Sequence, residues 1–582
     1  MAQVLTLQQV VVLAALALLV GLLVRGRQSP AALFAGVALL FYVLDYVSLA
    51  QLLKQFTNTG LVAVLLLILV SVVLDKSRLL ERMAERLVRG SYPLALTRLV
   101  LTTAAYSAFL NNTAVVASLI GPLRANRQHG AARLLMPMCY AATLGGVLTL
   151  VGTSTNLLIS GFMVAQGMAP LDIFTPLPVG LMLLAGCSGA MLLSYPWLFR
   201  HREPVAEAPG DYFLEARVLP GSGLIGRSVH DNGLRHLGHL FLSEIVRDGR
   251  LIAPVEPAER LAAGDLLVFA GDVQRLDLLA GFHGLQTYGQ RSGLPLDNLV
   301  EVVIGANSTL ARRTLREVDF RSQFDAAVVA VRRGSQRLPG AIGQIPLQVG
   351  DALVLAVGKD FDKRNNVQRN FVVVSRPAVA KFVDPRKSVA SLVGFVLVIG
   401  AAALGWVDLV KGLLLLLTAY LLLGFTRTAD LRRNVPYGLV FIIAGALVIS
   451  EVMLSSGVAR LVSGAVLALV APLGPQTGAL LGVLLLSWLL TELMSNNAAA
   501  ALAFPVALGM AQQTGLPALP LVMAVLYGAS CSFLTPYGYQ TNLMIMAPGQ
   551  YTLRDYLRAG APVTVVYLGI AMWAIPKVFP LH

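Results

Sequence analysis

The chain has 582 residues, a hydrophobic share of 56% against a charged share of only 13%, and a formal net charge of +14. Soluble globular proteins carry about a quarter charged residues, so that class is excluded. Nucleic acid is also disfavoured as a partner, because the lysines and arginines flank apolar segments and form no single basic face with interleaved aromatics.

Hydropathy divides the chain into an apolar part, 1–198, a polar insert, about 200–386, and a second apolar part, 387–582. Many windows reach the roughly 20 apolar residues that cross a hydrocarbon layer, so a polytopic α-helical membrane protein is expected. The first run, Val10 to Val24, lacks a basic start and a small-residue cleavage site and reads as a retained helix. Helices are expected at 31–52 and 60–75, then an amphipathic stretch from Lys76 to Arg89, a hairpin-like pair at about 95–124, and segments at 132–165 and 173–197. The last part repeats that order, with helices at 388–405, 409–424 and 436–454, an amphipathic stretch, a broken pair at about 475–510, and segments at 518–547 and 561–580. Many secondary transporters are built from such duplicated halves.

Lysine and arginine bias loops toward the cytoplasm. Arg25, Arg27, Lys76 to Arg89, Arg124, Arg127 and Arg133 share that side if the first pair enters and leaves on one face as a re-entrant hairpin. Arg200 and Arg202 then place the insert in the cytoplasm, and Arg427, Arg432, Arg433, Arg554 and Arg558 follow. The second pair must enter from the opposite face, which makes the halves inverted repeats with both termini extracytoplasmic. Only Lys54, Lys411, Arg460 and Lys577 are misplaced.

The insert is itself duplicated: Leu224 and Leu310, and Gly264 and Gly350, are each 86 residues apart. Two units, 205–290 and 296–376, alternate apolar and polar residues in short runs with Gly-Asp turns, as small α+β sheet modules do. They resemble the C-terminal ligand-sensing domain of TrkA-type potassium-transport regulators, present twice. "GSGLIG" at 221–226 lacks the spacing of a nucleotide fingerprint, so an unidentified regulatory ligand and a passive dimerising or spacer role both remain open.

Chemistry concentrates in four polar islands within apolar segments: Tyr106 to Val116, Leu150 to Leu158, Leu490 to Ala501 and Leu534 to Met544. Asn112 and Asn156 are 44 residues apart and Asn496 and Asn542 are 46 apart, so each half carries one island in its hairpin and one in the next segment. An unpaired amide or hydroxyl in hydrocarbon costs several kcal/mol, so these groups must face one another, water or a ligand. A lone serine in a bundle is usually packing glue, but matched islands in both halves favour a site. Broken helices aim N–H groups at an anion while carbonyls and side-chain oxygens suit sodium, and no island contains arginine.

Both membrane halves resemble the divalent-anion/sodium symporter family of the solute carrier 13 type. Its hairpin motif Ser-Asn-Thr corresponds to Asn111-Asn112-Thr113 and Ser495-Asn496-Asn497, its preceding hydroxyl to Ser107 and Thr491, and its later island to Gly152–Asn156 and Gly538–Asn542. The resemblance implies an elevator-type homodimer in an inner or plasma membrane and at least two sodium ions. One sodium would use Ser107, Asn111, Asn112 and the Gly152 carbonyl, the other Thr491, Ser495, Asn496 and the Gly538 carbonyl. Substrate would touch Asn112, Thr113, Thr153, Ser154, Asn496, Asn497, Tyr539 and Gln540. "TPYGYQTNLM" together with the insert is similar to the branch associated with sulfate, with dicarboxylates as the alternative.

Asn111 and Asn497 depart from the family pattern at ion- or substrate-facing positions. Glu492, an intramembrane acid, is either functional or paired with a neighbour. The three cysteines, Cys139, Cys187 and Cys531, lie unpaired in apolar segments and read as packing residues, and all seven histidines fall outside the membrane core. No nucleophile-base-acid set suggests an enzyme. A potassium channel would need four filter loops, which "TPYGYQ" alone does not provide.

Overall fold

The computed structural model describes residues 5–199 apart from 26–27, 75–86, 125 and 127, and residues 385–581 apart from 547. Of the insert it describes 212–375, without 235, 238–239, 249, 254, 272–281, 283, 288–298, 306–307, 334–341, 359, 362–363 and 365. Most of the amphipathic stretch expected from Lys76 lies outside the described residues.

The first half comprises α1 (Leu7–Arg25), α2 (Pro30–Val43), α3 (Leu49–Phe56), α4 (Thr59–Leu74), α5 (Tyr92–Ser107), α6 (Asn112–Arg124), α7 (Ala131–Gly146), α8 (Ser154–Ala165) and α9 (Leu177–Leu198). The single helix expected over 31–52 is two helices. Asp45 takes a left-handed conformation, φ 57°, and Ser48 restarts the chain with a reciprocal cap to Gln51. These local polar bonds compete with helix continuation.

The insert carries strands β1 (Tyr212–Val218), β2 (His236–Leu237), β3 (Leu240–Arg247), β4 (Arg250–Ile252), β5 (Leu266–Gly271), β6 (Leu285–Thr287), β7 (Leu299–Ile304), β8 (Ala326–Arg332), β9 (Ala352–Val357) and β10 (Phe371–Ser375), with short helices α10 (Phe320–Phe324) and α11 (Val367–Asn370). They form one antiparallel sheet in the order β10-β7-β9-β8-β1-β5-β3-β2, with β4 on β3 and β6 on β1. The 86-residue repeat is visible as matched bonds. Arg247 Nε donates to Asp265 at 2.8 Å and Arg333 Nε to Asp351 at 2.7 Å, and each aspartate also accepts a backbone N–H three residues earlier. Gly264 and Gly350 precede those aspartates at φ +88° and +89°, a turn conformation that disfavours a side chain. The hydrogen bond from Arg247 to the Asp265 carboxylate pushes the guanidinium pKa up.

The second half comprises α12 (Pro385–Ala403), α13 (Leu409–Leu422), α14 (Thr428–Asn434), α15 (Tyr437–Ser455), α16 (Val458–Val470), α17 (Pro475–Leu493), α18 (Asn496–Thr514), α19 (Ala518–Ser530), α20 (Gln540–Met546) and α21 (Leu553–Val578). Among the described residues six helical segments are long and apolar enough to cross a membrane. Their outer faces expose large apolar side chains such as Leu18, Leu193 and Val565, which hydrocarbon solvates without cost. Packing repeats too: α5 lies on α7 as α17 lies on α19, while α6 meets α20 and α18 meets α8 across the halves.

Candidate functional site

Both helix pairs break at the same place. Helix α5 ends at Ser107 and α6 restarts at Asn112; α17 ends at Leu493 and α18 restarts at Asn496. The break is tied by one bond in each half: Ser107 Oγ donates to Asn112 Oδ1 at 2.5 Å, and Thr491 Oγ1 donates to Asn496 Oδ1 at 2.9 Å. All four side chains are buried. The two residue pairs are each 384 positions apart, so the predicted hydroxyl-and-asparagine motif is one local structure made twice.

The later islands are duplicated in the same detail. Asn156 Nδ2 donates to the carbonyls of Gly146 (3.3 Å) and Thr149 (2.8 Å), and Asn542 Nδ2 donates to those of Ser532 (3.0 Å) and Thr535 (3.1 Å). The Gly152 and Gly538 N–H groups each donate to the threonine three residues earlier, at 3.1 Å in both. Those threonines donate in turn to the hairpin, Thr149 to the Ala108 carbonyl and Thr535 to the Glu492 carbonyl at 3.2 Å. Thr149, Thr535, Asn156 and Asn542 were not among the predicted site residues. Their signal is present in both halves as Thr-x-x-Gly-x-x-x-Asn.

Gly152 and Gly538 are needed for this closeness. A Cβ on Gly152 would sit 2.6 Å from the Gly146 carbonyl oxygen and 3.1 Å from that of Ala108, and one on Gly538 would sit 2.1 Å from Ser532 Oγ and 3.0 Å from the Thr491 carbonyl oxygen. The predicted Gly152 and Gly538 therefore lie against the hairpin backbone, at Ala108 and Thr491 respectively.

Across the halves the islands interlock. Asn112 Nδ2 donates to Tyr539 Oη at 2.6 Å, while Asn497 Oδ1 accepts from Ser154 Oγ and Thr155 Oγ1, both at 3.2 Å. Asn112 packs on Gly146, whose carbonyl holds Asn156. Two hydrogen-bonded contacts thus cross the halves, Asn112 with Tyr539 and Asn497 with Ser154 and Thr155. Thr153 is the buried N-cap of α8. Thr113 is half-buried, and Asn111, Ser495 and Gln540 are exposed at helix starts. Asn111 Oδ1 accepts the Thr113 N–H at 2.9 Å and so acts as a helix cap.

Several buried oxygens in this network make no hydrogen bond among the described residues: Asn156 Oδ1, Ser532 Oγ, Thr541 Oγ1 and Glu492 Oε2. Unpaired oxygens in an apolar interior cost about 1–3 kcal/mol each. The three neutral oxygens among them, Asn156 Oδ1, Ser532 Oγ and Thr541 Oγ1, are of the type that a hard monovalent cation accepts as ligands. Glu492 itself is explained in part by its other oxygen, which accepts the N–H groups of Phe533 (3.1 Å) and Leu534 (3.0 Å) where α19 has unwound. It therefore fills backbone valences that a broken helix exposes.

The family model described as citrate transporter matches residues 9–528. A Chlamydomonas reinhardtii protein whose name assigns it to regulation of the sulfur deprivation response is 31% identical over 88% of this chain and 91% of its own length. An uncharacterized transporter of Synechocystis sp. is 29% identical over 91% of this chain and 90% of its own. Sodium/sulfate cotransporter 1 of C. reinhardtii is 27% identical over 62% of this chain and 43% of its own length.

Proposed function

The chain belongs to the citrate transporter family, and from that premise we propose that it is a sodium-coupled symporter of a small divalent oxyanion, sulfate before a dicarboxylate. The carrying observation is the duplicated, interlocked polar network, which offers amides, hydroxyls and helix starts but no arginine. Helices α6, α8 and α18 begin at Asn112, Ser154 and Asn496, and their positive N-terminal ends favour negative charge. A relative named sodium/sulfate cotransporter supports both the ion and the anion.

In this reading, one sodium is held near Ser107, Asn112 and Gly152 and a second near Thr491, Asn496 and Gly538, with Asn111 and Ser495 at the hairpin tips. Asn112, Thr113, Thr153, Ser154, Asn496, Asn497, Tyr539 and Gln540 surround the anion. Two sodium ions neutralise a divalent anion, which cannot be desolvated at mid-membrane uncompensated. A third would make the cycle electrogenic, worth about 2.3 kcal/mol per charge at 100 mV. The two helix pairs act as re-entrant hairpins of inverted halves, carried in elevator fashion past a scaffold in a homodimer. The insert is cytoplasmic, and both termini are extracytoplasmic in an inner or plasma membrane.

The deciding experiment is uptake of labelled sulfate and of labelled succinate into proteoliposomes with and without an inward sodium gradient, each competed by unlabelled sulfate, succinate or citrate. Sodium-driven uptake blocked by sulfate alone is expected. Uptake blocked by succinate or citrate and untouched by excess sulfate would refute the sulfate assignment.

A further inference from the structure

We propose that the insert is a positional regulator of the binding site, fastened to the far ends of the two helices that carry it. Helix α6 begins at Asn112 in the network and ends at Arg124, whose Nη1 donates to Glu301 Oε2 on β7 at 2.6 Å. The other carboxylate oxygen of Glu301 lies 3.7 Å from Arg332 Nη2 on β8. Strand β10 packs beside the same helix. Helix α20 begins at Gln540, next to Tyr539, and ends at Met546, whose Sδ faces Gly350 in the turn before β9 at 3.8 Å from where a Cβ would stand. Helices α6 and α20 also pack on each other.

The two helices come from opposite halves, share the Asn112–Tyr539 bond at one end and meet one sheet at the other. A helix of 13 residues is a rod about 20 Å long, so a shift imposed at Arg124 arrives at Asn112. In the Arg124–Glu301 pair the side chains are 29% and 12% exposed, so the contact is screened less than a fully exposed surface pair. Any event that moves the second unit of the insert therefore changes the spacing between Asn112 and Tyr539. By linkage, occupancy of the site changes the insert in return. Arg124 is a positioning residue in this scheme, acting through α6.

The inference rests on the network being the anion site, so the wild type is assayed first with sulfate, succinate and citrate, and variants with whichever anion it carries. A wild type that carries none of the three removes the site reading itself. R124Q and E301Q are each expected to raise KM by about five-fold or more with the maximal rate within about two-fold, in the range of typical coupling between sites. R124K is expected to keep KM within about two-fold of wild type. Unchanged KM in both single variants overturns the proposal. So does a raised KM that persists in R124K when its melting temperature matches wild type.

Discussion

The two membrane halves have the same hydrogen-bonded frame and different fillings. Ser107 and Thr491, Asn112 and Asn496, Thr149 and Thr535, and Asn156 and Asn542 make equivalent bonds. At the position of Ala108, however, the second half has Glu492, and at that of Gly146 it has Ser532. The first hairpin reaches the other half through Asn112, the second through Asn497. The frame answers a demand common to both halves, since broken helices in hydrocarbon must have their backbone groups paired. Under the proposed function, the fillings answer to the bound species, which has no reason to be symmetric.

The largest effect is expected where the frames diverge. Glu492→Ala removes the acceptor of two buried N–H groups, at about 1–3 kcal/mol each, while Glu492→Gln keeps an acceptor oxygen. The alanine variant should lose most of its folded yield or melt well below wild type, and the glutamine variant should remain folded. Equal damage from both would show that the charge of Glu492 matters, and not its role as a backbone acceptor. Next in size, Asn112→Ala and Asn496→Ala each remove a side chain with bonds on both of its atoms or within a hairpin break. Each should raise the sodium concentration for half-maximal uptake by roughly five- to 150-fold, as loss of a buried partner costs about 1–3 kcal/mol. Unaltered sodium dependence in both would leave the islands as packing glue.

The duplication was legible because apolar runs and polar islands recur in order, and because Asn112 and Asn496 sit at equal depth in each half. The 86-residue repeat of the insert was legible from Gly264 and Gly350, whose left-handed turns demand glycine. Other features depend on contacts distant in sequence. Nothing local marks Tyr539 as the partner of Asn112, or Glu301 as the partner of Arg124. The break at Asp45 was missed since Ser48 and Gln51 form their cap inside a segment apolar enough to read as one span. A functional role and pairing with a neighbour stayed open for Glu492 in the sequence, because the unwinding at Phe533 that it satisfies is itself a tertiary outcome.

A smaller effect is expected from Tyr539→Phe, which deletes the hydroxyl that accepts from Asn112 and keeps the ring. A net hydrogen bond is worth about 0.5–1.5 kcal/mol, so KM for the carried anion should rise about two- to ten-fold. Asn497→Ala, which strips the acceptor from both Ser154 and Thr155, tests the reciprocal contact. A rise in KM for one variant alone would locate the anion nearer that hairpin.

The smallest expected effect isolates one oxygen. Asn542 Oδ1 accepts from Cys139 Sγ at 3.2 Å, whereas its counterpart Asn156 Oδ1 makes no hydrogen bond among the described residues. The residue matching Cys139 in the second half, 386 positions on, is Val525, which has no donor to offer. If Asn156 Oδ1 faces sodium, Val525→Cys gives it a competing, weak S–H donor of nearly unchanged volume. The sodium concentration for half-maximal uptake should then rise, by about two- to five-fold for a bond worth up to 1 kcal/mol. Cys139→Val makes the opposite change, freeing Asn542 Oδ1 in the second half, and should leave sodium dependence the same or strengthen it slightly. Both exchanges conserve packing, so melting temperatures near wild type are expected and would separate an ion effect from a structural one. Identical sodium dependence in Val525→Cys and wild type would mean that Asn156 Oδ1 is no ligand, and that the two halves differ in packing alone at this level.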